Sequence, residues 1–259
     1  MPVTPDPNAQ KPVVLVPVTA EDDARAKRRL VITCVTVAVV VAGTAAWIYK
    51  RSLDPIRAQE SFDSGQRLLA IARYNQAILS FDRAVALKPD FEEAYVSRGR
   101  ARAALYDPER AVQDFSAAIA LRPRDAQALL NRGRAYLLLK NYSAAIDDSE
   151  AALRVEPQLA AAHNLRGTVL RDTGNPGQAL EEFNRAVDLA PNADNYYQRG
   201  ATFQALGRHQ QAIADFDQTI AFAPFQAQGY FARAESRRAL GDQQGAEKDH
   251  LQARILDGR

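Results

Sequence analysis

Residues 126–159 read AQALLNRGRAYLLLKNYSAAIDDSEAALRVEPQL, and the 34 residues before them, 92–125, read EEAYVSRGRARAALYDPERAVQDFSAAIALRPRD. Aligned without gaps, the two stretches share Arg-Gly-Arg-Ala, then an isolated alanine, an aspartate, an Ala-Ala pair and a proline. The same spacing runs outward in both directions. Prolines stand at 89, 123, 157, 191 and 224, and glycines at 65, 99, 133, 167 and 200, with Ala234 in the sixth glycine slot. Twelve residues after these come Ala77, Ala111, Ala145, Ala179, Ala212 and Ala246. Four residues further on is an aromatic ring (Phe81, Phe115, Phe183, Phe216), replaced by Ser149 and His250 in two units. A second small residue follows in each unit: Ala84, Ala118, Ala152, Ala186, Thr219 and Ala253. A fixed period of 33 or 34 residues marks a repeat architecture, in which each unit buries its apolar face only against its neighbours.

This pattern closely resembles the tetratricopeptide repeat (TPR), whose unit is a pair of antiparallel helices, A and B. The resemblance implies an all-α fold, a right-handed α-solenoid of six helix hairpins over residues 58–257, divided into 58–91, 92–125, 126–159, 160–192, 193–226 and 227–257. On that reading the Gly and Ala slots lie where A and B cross and let the backbones approach. The Phe of helix B fills the space between one hairpin and the next. Each Pro stops helix B, because it offers no amide and restrains the residue before it. Asp107-Pro108 and Asn175-Pro176 start helix B with a capping side chain ahead of a proline, and Asp54-Pro55 starts the first helix A in the same way.

One pairing uses the repeats as their own controls. The residue before the glycine slot is Arg98, Arg132, Arg166, Arg199 and Arg233 in units two to six, and sixteen residues later stand Asp114, Asp148, Glu182, Asp215 and Asp249. In the first unit both slots are uncharged, Ser64 and Ser80. The spacing predicts an Arg–carboxylate bridge between helices A and B in each of those five units, a structural device and not a binding site.

Ahead of the repeats, Leu30 to Tyr49 is LVITCVTVAVVVAGTAAWIY, 20 residues without a charge. At about 1.5 Å per residue that is about 30 Å of helix, the thickness of a bilayer's hydrocarbon core. Arg25, Lys27, Arg28 and Arg29 precede it and Lys50 and Arg51 follow it. Trp47 and Tyr49 stand at the far boundary, where amphipathic rings favour the headgroup layer. The stretch reads as a transmembrane helix in contact with the lipid bilayer. The excess of cations before it predicts a cytoplasmic N-terminus, with everything after Arg51 across the membrane. Gly43-Thr44-Ala45 has cleavage-type spacing, but the 29-residue lead-in and the aromatic pair beyond favour an uncleaved signal anchor. Cys34, Ala38, Ala42 and Ala46 recur every four residues, a small-residue stripe along which two such helices could self-associate. Five of the 13 prolines fall in the first 17 residues, so 1–29 read as a disordered Pro-rich tail and 50–57 as a linker and helix start.

Composition narrows the chemistry. One Cys in 259 residues excludes a disulfide framework and any ligand set with two thiolates, and three His do not suggest a His-rich metal site. The chain has no HExxH, no GxSxG and no phosphate-cradling glycine loop. Asp147-Asp148 and Glu181-Glu182 are adjacent carboxylates, but neighbours on a helix point about 100° apart and do not converge as an acid–base couple. Neither an enzyme nor a metal nor a cofactor is expected. Residues 52–259 hold 26 cations against 27 acids, so nucleic acid is not an expected partner.

In the TPR family helix A lines a concave groove that receives peptides or protein segments. The resemblance puts Val96, Arg100, Leu130, Asn131, Arg134, Asn164, Thr168, Tyr197, Gln198 and Phe231 on that groove. Arg100 and Arg134 would grip a carboxylate or main-chain carbonyls, and Asn131 and Gln198 offer amides. Tyr197 and Phe231 supply the flat apolar contact that anchors interfaces. TPR domains that clamp the C-terminal carboxylate of heat-shock chaperones carry Lys and Asn in one helix A, Asn in the next, and Lys and Arg in the third. The matching slots here are Val96 and Arg100, then Asn131, then Ala161 and Leu165, and only the Asn is met. The chain resembles bacterial inner-membrane TPR proteins that assist envelope assembly, cytochrome maturation or secretion. The resemblance therefore implies a single-pass membrane protein whose periplasmic solenoid binds other proteins as scaffold, assembly factor or holding chaperone. The inverse, a cytosol-facing receptor for protein targeting or complex assembly, is disfavoured by the cation asymmetry and the missing clamp.

Overall fold

The computed structural model describes residues 20–258, so the tail expected over 1–29 lies outside the described residues as far as residue 19. The elements among the described residues are α-helices: α1 (Ala20–Ala70), α2 (Tyr74–Leu87), α3 (Glu92–Ala104), α4 (Pro108–Leu121), α5 (Ala126–Leu138), α6 (Tyr142–Val155), α7 (Ala160–Asp172), α8 (Pro176–Leu189), α9 (Ala193–Ala205), α10 (His209–Phe222), α11 (Ala227–Ala239) and α12 (Gln243–Asp257). The chain divides into two compact units, one up to Pro55 and one from Ile56.

In the first unit, residues 20–29 are helical turns of α1 and not tail. Alanines and basic residues there are strong helix formers, and no Gly or Pro interrupts them. Lys27–Ala45 is a 19-residue stretch of mean hydropathy 1.7 with no part buried, long and apolar enough to cross a membrane. Its threonines are satisfied inside the helix: Thr33 Oγ1 donates to Arg29 O, Thr36 Oγ1 to Thr33 O and Thr44 Oγ1 to Val41 O, each at 2.9 Å. Cys34, Ala38 and Ala42 of the small-residue stripe are exposed, and the side chain of Ala46 lies outside the description. Pro55 lies within α1 and does not open a new helix, so the linker expected over 50–57 is helical too. A proline removes one amide donor and crowds the carbonyl four residues back. The helix-favouring Ala58-Gln59-Glu60 beyond it carries the helix on.

In the second unit, the end of α1 pairs with α2, and the remaining helices pair in order from α3–α4 to α11–α12. Each helix from α2 onward packs on the next, and α3, α5, α7, α9 and α11 also touch in succession. The turn from A to B is built the same way six times. A residue with positive φ stands at Ala72, Tyr106, Lys140, Gly174, Gly207 and Gly241. The next amide reaches back five residues, as in Arg73 N to Leu68 O (2.9 Å), Asn141 N to Tyr136 O (2.9 Å) and Asp242 N to Arg237 O (3.0 Å). This is the Schellman closure, which satisfies the last carbonyls of helix A. At the other end, Lys88, Arg122, Glu156, Ala190 and Ala223 precede the periodic prolines with φ between −147° and −127°, outside the helical region. Asp107 caps α4 by accepting from Arg110 N. Asn175 makes no such bond, and its amide instead donates to Thr173 O at 3.3 Å, so α8 starts on its proline alone.

The core explains the small-residue slots. A Cβ added to Gly65, Gly99, Gly167 or Gly200 would come within 2.5–2.9 Å of the ring of Phe81, Phe115, Phe183 or Phe216. Each ring therefore sits on the glycine of its own hairpin, a contact that the reading which put it between hairpins did not include. Phe115 reaches both places, since it also packs with Ala135 of the next hairpin. In the third hairpin, Ser149 replaces the ring, is fully buried, and donates to Ile146 O at 2.7 Å. Leu165 from the following hairpin closes on Gly133 instead, within a cluster that includes Leu129, Leu130 and Val169.

Four of the five arginine bridges form with two-pronged geometry. Arg132 reaches Asp148 through Nε (2.8 Å) and Nη2 (2.7 Å), and Arg98, Arg199 and Arg233 hold Asp114, Asp215 and Asp249 alike. The remaining nitrogen reaches back to the previous hairpin: Arg98 to Asp82 (2.6 Å), Arg132 to Ser116 (3.1 Å), Arg199 to Asn184 (3.0 Å) and Arg233 to Asp217 (2.5 Å). Each guanidinium is thus a clasp across a junction as well as a bridge within a hairpin. The fifth is loose. Arg166 stands 3.7 Å from Glu182, whose other oxygen is 2.8 Å from Nδ1 of the buried His163.

Candidate functional site

Helix A buries its glycine-slot side against helix B, and the residue after that slot points about a quarter turn away. Arg100 on α3 and Arg134 on α5 occupy this position and are exposed. Tyr197 on α9 and Phe231 on α11 fill one slot in consecutive units and line a common cavity of about 440 Å³ with Gln204, Gln228, Glu235 and Asp257. Phe216 backs Tyr197 at 5.8 Å between ring centroids, and His250 backs Phe231 at 5.7 Å, so both aromatic walls are held from behind. A second cavity of about 440 Å³ begins at Arg134, crosses Ala160 and Ala161 of α7, and ends at Asp194 and Asn195 of α9.

The structure brings together only part of the expected groove. Leu130 is 1% exposed and belongs to the core, in the cluster it shares with Leu129, Leu165 and Val169. Asn164 is 8% exposed and donates through Nδ2 to Asn195 Oδ1 at 2.8 Å, tying α7 to α9. Neither is available to a partner. Gln198 Oε1 already accepts from Arg171 Nη1 (2.8 Å), and Thr168 Oγ1 donates to Asn164 O (2.9 Å). Val96 packs half-buried against the Phe115 cluster, and Asn131 is half-buried as well. Asp194, Gln204, Gln228, Glu235 and Asp257 line the cavities without having been expected there. Their slots vary from unit to unit, so periodicity carried no signal for them.

One carboxylate breaks the repeat. Glu92 occupies the slot that is Ala58, Ala126, Ala160, Ala193 and Ala227 in the other units. It is 4% exposed, and Oε2 lies 2.7 Å from Arg122 Nη2, while Oε1 has no hydrogen-bond partner. Burial, helped by the neighbouring Asp125, pushes its carboxyl up to about 7 against the pull of Arg122.

Family models of the tetratricopeptide repeat match residues 98–154 and 142–194, and a second such model matches 193–225. Residues 98–225 are tetratricopeptide repeats. The hairpins on either side share the TPR fold. The APC/C hetero-tetramer Cut9–Hcn1 superposes on 79% of this chain and 41% of its own, with a TM-score of 0.73 and 17% identity. PilW, described as a widely conserved type IV pilus biogenesis factor, covers 76% of this chain and 92% of its own (TM-score 0.69, 20% identity). A TPR protein from Parabacteroides merdae ATCC 43184 covers 82% and 83% (TM-score 0.68, 20% identity). At such identities the likeness is one of fold. In sequence, 70 residues are 31% identical to the TPR and J domain-containing co-chaperone DNJ1 of Cryptococcus neoformans var. grubii, a match that spans 13% of that protein's length. TPR proteins bind other proteins or peptides.

Proposed function

We propose that this chain is a membrane-anchored TPR scaffold that binds partner proteins through the helix A side of its repeats, as an assembly factor or holding chaperone. The observation that carries the binding reading is the cavity in which Tyr197 and Phe231, from different hairpins, form one apolar floor rimmed by amides and carboxylates. Exposed Arg100 and Arg134 extend the same side with guanidinium groups for carboxylates or main-chain carbonyls. Anchoring through Leu30–Tyr49 is supported by the wholly exposed apolar surface of Lys27–Ala45 and by threonine hydroxyls that bond within their own helix, as a hydrocarbon environment requires. Four cations before the span against two after it support a cytoplasmic N-terminus and periplasmic repeats in a bacterial inner membrane. Assembly work of the kind named for PilW fits that arrangement.

A photo-reactive residue at Tyr197 is expected to cross-link a protein partner. Arg100→Ala with Arg134→Ala should weaken that capture while leaving the unfolding midpoint unchanged. Undiminished capture removes this groove as the binding site. A phosphatase fused after Arg259 should be active and a fluorescent protein dark; the reverse result inverts the topology.

A further inference from the structure

The last helix departs from the other B helices in two slots. The residue after the ring slot is Asp82, Ser116, Glu150, Asn184 and Asp217 in α2, α4, α6, α8 and α10, and Leu251 in α12. Four residues on stand Ala86, Ala120, Arg154, Asp188 and Ala221, and then Ile255. Leu251 is 54% and Ile255 63% exposed, a pair one helical turn apart on the outer side of the terminal helix. At four of the earlier junctions the first of these slots accepts from the next hairpin's arginine. Leu251 has no acceptor to offer, and the first hairpin holds Ser64 where that arginine would be. Copies of this chain therefore have no clasp with which to continue head to tail.

The charges around the pair have their own order. With 3.6 residues per turn, Leu251 lies at the centre of the exposed face, with Glu247 and Arg254 on one flank and Lys248 and Ile255 on the other. All four flanking residues are exposed.

We propose that α12 is a homodimer interface, two copies pairing antiparallel about a two-fold axis through Leu251. In that pairing Leu251 meets its own copy, and Ile255 lies on the aliphatic stem of the second copy's Lys248. Glu247 of each chain faces Arg254 of the other, so every contact is made twice, as isologous symmetry requires. A parallel pairing would set Glu247 against Lys248 and leave Arg254 over Ile255. One helix pair buries less than the roughly 1,200 Å² of a standard interface. Two chains confined to one bilayer by the anchor proposed above raise each other's effective concentration and make so small a contact sufficient.

The test uses the full chain in lipid vesicles with Cys34→Ala, so that an introduced thiol is the chain's sole one. Under mild oxidation Leu251→Cys is expected to give a disulfide dimer. Leu79→Cys, equally exposed on α2, should remain monomeric. Adding Glu247→Arg to Leu251→Cys should lower the dimer yield about fivefold, and the further change Arg254→Glu should restore it. Linkage at 251 no stronger than at 79 overturns the interface. A charge-swapped variant as weak as the single one overturns the antiparallel pairing. Leu251→Asp should leave capture at Tyr197 unchanged, so failure of this interface and failure of the groove are seen separately.

Discussion

The fifth hairpin with its junction to the sixth, and the third with its junction to the fourth, solve one packing problem with different residues. At the former, Phe216 sits on Gly200, and Arg233 holds Asp249 in its own hairpin and Asp217 in the one before. At the latter there is no ring, and Leu165 crosses from the next hairpin to close on Gly133. Arg166 is displaced from its carboxylate, which the buried His163 engages instead. The volume behind the glycine is filled and the buried carboxylate is partnered in both cases. What each requires is a filled space and a satisfied charge: a neighbouring hairpin can supply the first, as Leu165 does, and another residue of the same helix the second, as His163 does.

The largest effects are expected where that equivalence is tested directly. Phe216→Ala should destabilise the repeats by about 3–5 kcal/mol and Leu165→Ala by about 2–5 kcal/mol, read as shifts in urea midpoint. If Leu165→Ala loses less than about 1 kcal/mol, Leu165 is not the substitute for the missing ring. Next come the charges. A double-mutant cycle on Arg132 and Asp148 should give a coupling of about 1–3 kcal/mol, because both are largely buried and joined by two hydrogen bonds. The cycle on Arg166 and Glu182 should give under about 0.5 kcal/mol. Equal couplings would erase the distinction between the two junctions.

Glu92 sharpens the comparison in another place, since its slot prefers alanine. The folded state raises its carboxyl to about 7 from 4.5, so folding is favoured by the bound proton. That contribution is complete below 4.5 and is lost as the pH rises through about 7. Glu92→Ala should therefore stabilise the repeats by on the order of 2 kcal/mol at pH 8 and change them little at pH 4. Thermal midpoints that shift equally at both values would contradict this. The smallest effect concerns the turns. Lys140 holds φ at 56°, where glycine stands in the fourth to sixth hairpins, so Lys140→Gly should add about 0.5–1 kcal/mol. Gly207→Ala should remove a similar amount, as seen in the same unfolding curves.

The hairpins were legible because their determinants are local or strictly periodic. The proline that ends each helix B, the periodic glycine and aromatic slots, and arginine sixteen residues ahead of a carboxylate are visible without coordinates. Asp54-Pro55 misled for the same reason. Its dipeptide signal is that of a helix start, and the surrounding run of helix formers outweighed it. The six left-handed turn residues escaped notice because only three are glycine; Ala72, Tyr106 and Lys140 give no sign of their φ values.

The groove was legible only as a side of helix A. Arg100 and Arg134 are exposed and Tyr197 and Phe231 half-buried at a cavity wall, whereas Leu130 and Asn164 share the slot of Tyr197 and Phe231 and are buried. Sequence alone determined the repeat, its period, the two-helix unit, the bridging charges and the length of the apolar stretch, since each depends on spacing along one chain. Tertiary structure decided which residues of helix A remain open, because that depends on what the neighbouring hairpin places opposite them. A serine at 149 draws in Leu165, a histidine at 163 releases Arg166, and an asparagine at 195 claims Asn164. The first and last of those choices are made across junctions and the second within one hairpin, and none follows from the repeat period.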